Sequence, residues 1–190
     1  MMTIPTRHWG RKVRFAGSFL RRRLVHVNLQ ILYTCNYRCR ICDFWTESYR
    51  NKPRLSATQA AVISKKLNQI SPQIISIGGG EPLLHPELVE IVRALARHHF
   101  PVMISNGSLM TPDLARALFQ AGLVEISVSL DYIDPQKHDA QRGAPGAFAK
   151  ALEALETLHA SRTHPEQRVN MIAVIMDDNL AEVEPLLRQC

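Results

Sequence analysis

No stretch of these 190 residues approaches the roughly 20 consecutive apolar residues that a membrane-spanning helix needs, so no transmembrane segment is expected. Aromatic residues make up only 6%, and no segment is of low complexity or rich in proline or serine, so no linker separates a second folded domain. Carboxylates are missing from one end. Residues 1–23 hold seven cations (Arg7, Arg11, Lys12, Arg14, Arg21, Arg22, Arg23) and no Asp or Glu, whereas the remainder has 16 Lys+Arg against 17 Asp+Glu. The formal charge of +6 therefore belongs to a basic N-terminal arm, read as a solvated, poorly ordered terminus. The near-neutral body lacks the spread of cations that a nucleic-acid surface requires. Arg21, Arg22 and Arg23 do not begin an export signal, because His26, Asn28 and Gln30 interrupt the following segment. The expected location is the cytoplasm.

Cysteine is scarce as well: Cys35, Cys39, Cys42 and Cys190 are all there are. A secreted disulfide framework scatters its cysteines, whereas three of these four fall within eight residues, a spacing that reads as metal ligation in a reducing compartment. At this length the chain buries about seven-tenths of its surface on folding and needs no metal as a staple, so a metal here is expected to serve chemistry.

What is present is a repeating alternation. A strand over 24–33 is followed by a Cys-containing loop and a helix over 57–69 capped by Ser56. A buried strand at 74–77 then runs into Gly78-Gly79-Gly80, with a helix over 87–98. Next come a strand at 101–105, a helix after Thr111 and Pro112 that stops at Gly122, and a strand at 124–130. A long loop, a helix near 147–160, a strand at 168–176 and a helix from about Asp178 complete the pattern. Five βα units imply a parallel sheet covered by helices, either doubly wound or a (β/α) barrel or partial barrel.

Cys35-Asn36-Tyr37-Arg38-Cys39-Arg40-Ile41-Cys42 is a C-x3-C-x2-C run directly after the first strand. Three thiolates on one loop can hold three corners of a cubane cluster and leave the fourth iron open to a small molecule. A structural zinc would want a fourth ligand, for which only His26 or the distant Cys190 is available. Arg38 and Arg40 would stabilise the thiolates. His98-His99 suits the end of a helix, His85-Pro86 the start of one, and no histidine is assigned to metal.

The triplet resembles the cluster motif of the radical S-adenosylmethionine (radical SAM) superfamily. Three later segments, each at a strand end, extend the resemblance over about residues 24–180. Gly79-Gly80-Glu81-Pro82 is similar to the family's GGE motif, Ser105-Asn106-Gly107 to its (S/T)-N-G segment, and Ser127-Val128-Ser129-Leu130-Asp131 to its SxSxD strand end. The fold this implies is a partial (β/α)6 TIM-like barrel of parallel strands, of which about five units are visible. The implied domains are the basic arm at 1–23 and a radical SAM core at 24–190. That core would lack its sixth unit and, if of the SPASM-containing type, the C-terminal extension.

The resemblance further implies a [4Fe–4S] cluster on Cys35, Cys39 and Cys42. S-adenosylmethionine would be bound by the backbone carbonyls of Gly79 and Gly80, by Glu81 as a charge or a loop organiser, and by Ser105, Asn106, Ser129 and Asp131. Arg142 would face the cofactor carboxylate or simply solvent. Ile41 stands where the family usually has an aromatic residue against the adenine, with Phe44 or Trp45 to compensate. The activity implied is reductive cleavage to a 5′-deoxyadenosyl radical that abstracts hydrogen from a peptide or small-molecule substrate. The electron donor would be of the flavodoxin or ferredoxin type. No catalytic residue is assigned; Tyr132, Lys137 and His138 lie in the loop after the fourth strand, near where a substrate could enter, and are expected to be solvent-exposed. The competing readings are a non-catalytic iron–sulfur or zinc module and an inactive fragment of a longer enzyme.

Overall fold

The computed structural model describes residues 8–189, so Arg7 of the basic arm and Cys190 lie outside the described residues. The elements are α1 (Trp9–Leu20), β1 (His26–Leu32), α2 (Glu47–Arg50), α3 (Ala57–Asn68), β2 (Ile74–Gly79), α4 (Leu88–Ala96) and β3 (Phe100–Ser105). They continue with α5 (Pro112–Ala121), β4 (Glu125–Ser129), α6 (Pro135–Arg142), α7 (Ala147–Ser161), β5 (Arg168–Ile172) and α8 (Val183–Gln189). All strand pairs are parallel and the spatial order is β1-β2-β3-β4-β5. A doubly wound sheet reverses its order at a switch point. A sequential order with right-handed crossovers instead lays the covering helices on one face, and the architecture is a partial TIM-like barrel of five βα units.

Each strand alternates accordingly. Ile75, Ile77, Met103, Ile126 and Val128 point outward under the helices and are fully buried. Their neighbours Asn28, Ser76, Ser127 and Asn170 share the concave face, paired in register across the sheet. The helical layer meets the outward face through the stripe Leu88, Ile91, Val92 and Leu95 of α4, every member of which is buried. Ser56 and Gln59 form a reciprocal capping box on α3. Thr111 caps α5, which ends at Gly122 with a positive φ of 107°.

Several expectations from the sequence are corrected. The basic arm is not a loose terminus, since most of it is α1, docked across the N-terminal ends of the strands. Arg11 donates to the carbonyls of Ala96 and, at 2.9 Å, His99, and its guanidinium stands 5.0 Å from the Phe100 ring centroid. Phe15 meets Phe100 edge-on at 5.8 Å and Lys12 pairs with Glu166 at 2.5 Å. The presumed loop after β4 contains α6, which has a side-chain cap at Asp134, Pro135 in its first turn and Gly143 at its end. Its sequence lacks an apolar stripe, so periodicity does not reveal it. β5 is shorter than expected because the Val174 N–H turns away to Asp131 Oδ1 at 2.9 Å. His99 is no helix-end cation: it is fully buried, accepts from the Gln73 N–H at 3.1 Å, and burial pushes its pKa down.

Candidate active site at the C-terminal ends of the strands

The loop carrying the three cysteines leaves β1 over the end of β2, and two glycines make that approach possible. The Gly80 N–H donates to Leu32 O at 3.1 Å and the Glu81 N–H to Thr34 O at 2.9 Å. A Cβ on Gly79, whose φ is 128°, would stand 2.0 Å from Leu32 O, and one on Gly80 would stand 1.9 Å from Thr34 O. Both glycines are therefore required by chain packing, whatever their carbonyls bind. The middle of the loop is held from the other side by the end of α6. Arg38 N–H donates to Arg142 O at 3.2 Å and Arg40 N–H to Gln141 O at 2.9 Å. A Cβ on Gly143, at φ 59°, would stand 2.3 Å from Arg38 O. Sequence reasoning missed Gly143; its signal was the Asp134-Pro135 start and glycine stop of a short helix.

Within this clamp Cys39 is buried, and Cys35 and Cys42 are half-buried around Tyr37 and Ala147. None of the three is in a disulfide. Burial is the main influence on Cys35, whose pKa is pushed up to about 11; the Tyr37 N–H opposes this, while Glu81, Cys39 and Cys42 add to it through their charge. Burial likewise pushes the Cys39 thiol up, and the charge and hydrogen bonding of Arg142 pull it back. The cation felt by Cys39 is thus Arg142; Arg38 and Arg40 have exposed side chains.

Among the described residues, no three His, Cys, Asp or Glu side chains converge as they would around a single ion. A cubane takes its three thiolates at three separate irons and so accepts a wider spread. Three free thiols on one clamped loop, with a buried guanidinium against one of them, suit that anionic group. Burial favours the protonated thiols of Cys35 and Cys39, which would release protons as they ligate.

The remaining sequence-selected residues mostly hold one another. Glu81 is buried and accepts from the Leu83 N–H at 3.0 Å, Ser105 Oγ at 2.8 Å and the Asn106 N–H at 2.8 Å, so it organises the loops after β2 and β3. Burial raises its pKa, against the pull of those three donors. Asn106 Nδ2 donates to Asn36 Oδ1 at 3.0 Å, which ties the Asn-Gly turn to the cysteine loop. Asp131 is fully buried, with Arg142 2.6 Å from its Oδ2. Arg142 is therefore neither a solvated loop residue nor free of a protein carboxylate, although its buried Nε has no protein partner. Ser129 is half-buried at the end of β4.

Ile41 is 46% exposed and belongs to neither buried apolar cluster. Of the two candidate substitutes for an aromatic residue there, Phe44 packs in a group with Tyr33 and Tyr49. Trp45 donates from Nε1 to Cys39 O at 3.2 Å and lines a cleft of about 230 Å³ with Thr34, Cys35, Asn36 and Arg38. Tyr132 and His138, expected in solvent, are buried. Tyr132 donates to Asp178 at 2.7 Å, and His138 accepts from the Asp131 N–H at 3.2 Å. Lys137 pairs with Glu182 at 2.6 Å.

A family model described as the radical SAM superfamily matches residues 29–190. A mycofactocin maturase, MftC, of Mycobacterium ulcerans (strain Agy99) is 35% identical over 133 residues, covering 70% of this chain and 36% of the relative. An AdoMet-dependent heme synthase of Methanosarcina barkeri (strain Fusaro / DSM 804) is 34% identical over 125 residues, covering 65% of this chain and 36% of the relative. The chain thus spans little more than a third of the length of these relatives. The solved structure of native anSMEcpe with bound AdoMet superposes on 87% of this chain and 48% of its own with a TM-score of 0.71 at 17% identity, a likeness of fold.

Proposed function

Because the chain belongs to the radical SAM superfamily, whose members use a [4Fe–4S] cluster and S-adenosylmethionine, we propose that it is an enzyme that generates a substrate radical by hydrogen abstraction. When bound, the reduced cluster supplies the electron that cleaves S-adenosylmethionine to methionine and a 5′-deoxyadenosyl radical. The observation that carries the reading is the cysteine loop, clamped between Gly79-Gly80 and Gly143 at the C-terminal ends of the strands, where βα enzymes place their sites. Cys35, Cys39 and Cys42 are the iron ligands. Arg142 balances the charge beside Cys39 while Asp131 holds it in place. The carbonyls of Gly79 and Gly80 and the Ser129 side chain would hold S-adenosylmethionine, on loops that Glu81, Ser105 and Asn106 tie together. Trp45, on the same cleft as Cys35, is the aromatic residue nearest to the role that Ile41 does not fill. The substrate is a peptide or a precursor in cofactor biosynthesis, a choice supported by relatives named as a maturase and a heme synthase. The electron donor is a flavodoxin- or ferredoxin-type protein.

Anaerobic reconstitution tests this. The wild-type chain should take up four irons per protein and, with dithionite and S-adenosylmethionine, form 5′-deoxyadenosine; Cys35→Ala should lose both. A Cys35→Ala protein that holds a full cluster and makes 5′-deoxyadenosine would sink the proposal. So would a wild-type chain that takes up one zinc and no iron.

A further inference from the structure

The docked helix α1 has a second face. Around its axis the contacts to the barrel come from Arg11, Phe15 and Ser18, and the opposite side carries Trp9, Val13 and Leu20 at i, i+4 and i+11. Among the described residues these large apolar side chains stay open to solvent: Trp9 is 58% exposed, Val13 53% and Leu20 81%, and Phe19, about a quarter-turn round the helix, is 66% exposed. A dozen residues make a rail about 18 Å long. Cations flank it. Arg14 lies on one side, donating to Asn68, and Arg21, Arg22 and Arg23 follow the last turn with exposed side chains. Beside Arg14 a cleft of about 500 Å³ between α1 and the end of α4 is lined by Arg11, Arg97 and His98 as well. Residues 1–23 contain no carboxylate, and Glu166, which reaches α1 from the body of the chain, is paired with Lys12.

We propose that α1 is an interfacial helix that seats the N-terminal end of the barrel on an anionic lipid surface. Trp9, Val13 and Leu20 enter the acyl boundary, while Arg14, Arg21, Arg22 and Arg23 meet the headgroup phosphates. An apolar rail on a convex helix, with basic residues at its flank and end, fits a fluid surface that moulds around it. Long arginine stems lie along the apolar layer while their heads reach phosphate, and tryptophan favours that boundary. A second copy of the chain would bring like charges together, and a nucleic-acid backbone offers nothing to Val13 or Leu20. The cysteine loop lies at the opposite ends of the strands, so seating the chain this way leaves its site open to substrate and electron donor. The inference does not depend on the function proposed above.

The test is flotation of the holoprotein, kept anaerobic, with vesicles of phosphatidylcholine alone and of phosphatidylcholine with an equal part of phosphatidylglycerol. The wild-type chain should float with the anionic vesicles, stay behind with the neutral ones, and be released by salt. R21Q/R22Q/R23Q should lower the partition constant by about a hundredfold, and W9S/L20S by about tenfold or more. All five side chains project into solvent, so circular dichroism and cluster absorbance should match wild type in both variants. The proposal falls if the wild-type chain fails to float with anionic vesicles, if it binds neutral vesicles equally, or if either variant floats like wild type. It also falls if polyglutamate or duplex DNA retains the wild-type chain more strongly than the anionic vesicles do.

Discussion

His138 shows how a buried group and its neighbours make stability depend on pH. Its ring is nearly inaccessible, with Arg142 and Asp131 as its charged neighbours and Phe148 edge-on at 6.1 Å. Burial first and Arg142 second push its pKa down from 6.5 to about 4. Between those values the unfolded chain binds a proton that the folded chain refuses, so this contribution to stability is whole above pH 6.5 and is lost as the pH falls toward 4. The size is on the order of 3 kcal/mol at about 1.4 kcal/mol per unit. Urea unfolding of metal-free protein across that range should therefore show His138→Asn, which keeps an acceptor for the Asp131 N–H, losing about one proton's worth of slope. An unchanged slope would remove His138 from the account. The imidazole's place against Asp131 was not legible in the sequence, where His138 reads as one polar residue of an exposed loop.

At the scale of elements, the end of β2 makes two neighbouring glycines unequal. A Cβ at Gly78 meets nothing within 4 Å, whereas one at Gly80 would overlap Thr34 O at 1.9 Å. Gly80→Ala should push the stem of the cysteine loop away from β2 and cut the iron retained after reconstitution by more than half, while Gly78→Ala should leave it unchanged. Iron analysis of the two variants side by side decides the matter, and equal iron contents would contradict the clamp. The presence of a glycine-rich strand end was readable from Gly78-Gly79-Gly80, as were the capped helices α3 and α5, because caps and glycine stops act within a few residues. Helix α6 was not read: its polar sequence buries His138, Gln141 and Arg142 through partners contributed by other segments.

For the whole molecule, α1 acts as a cover at the end opposite the site. Phe15 packs edge-on against Phe100, at the start of β3, from the same helix that sends Arg11 to the end of α4. Phe15→Ala should lower unfolding stability by about 1 kcal/mol, the burial of part of an aromatic side chain, and leave cluster content untouched because the site lies at the other end. Denaturant midpoints and iron content measured on the same preparation separate these effects. A fall in iron together with stability would mean that the two ends are coupled.

By itself the sequence determined the order of the five strands and of the helices that cover them, though not α1 or α6, together with the parallel class and the three-cysteine motif, because periodicity, capping and ligand spacing are written locally. Four strand-end motifs in order were enough to place the family. Only the tertiary structure decided what the motif residues touch. Glu81 and Ser105 bind each other, Asp131 takes Arg142, and Gly80 and Gly143 admit backbone from another segment. It also decided that the carboxylate-free end of the chain forms a docked helix, because Arg11 finds its carbonyl partners 85 and 88 residues away. Such contacts depend on how the barrel closes, and no local pattern of residues encodes that closure.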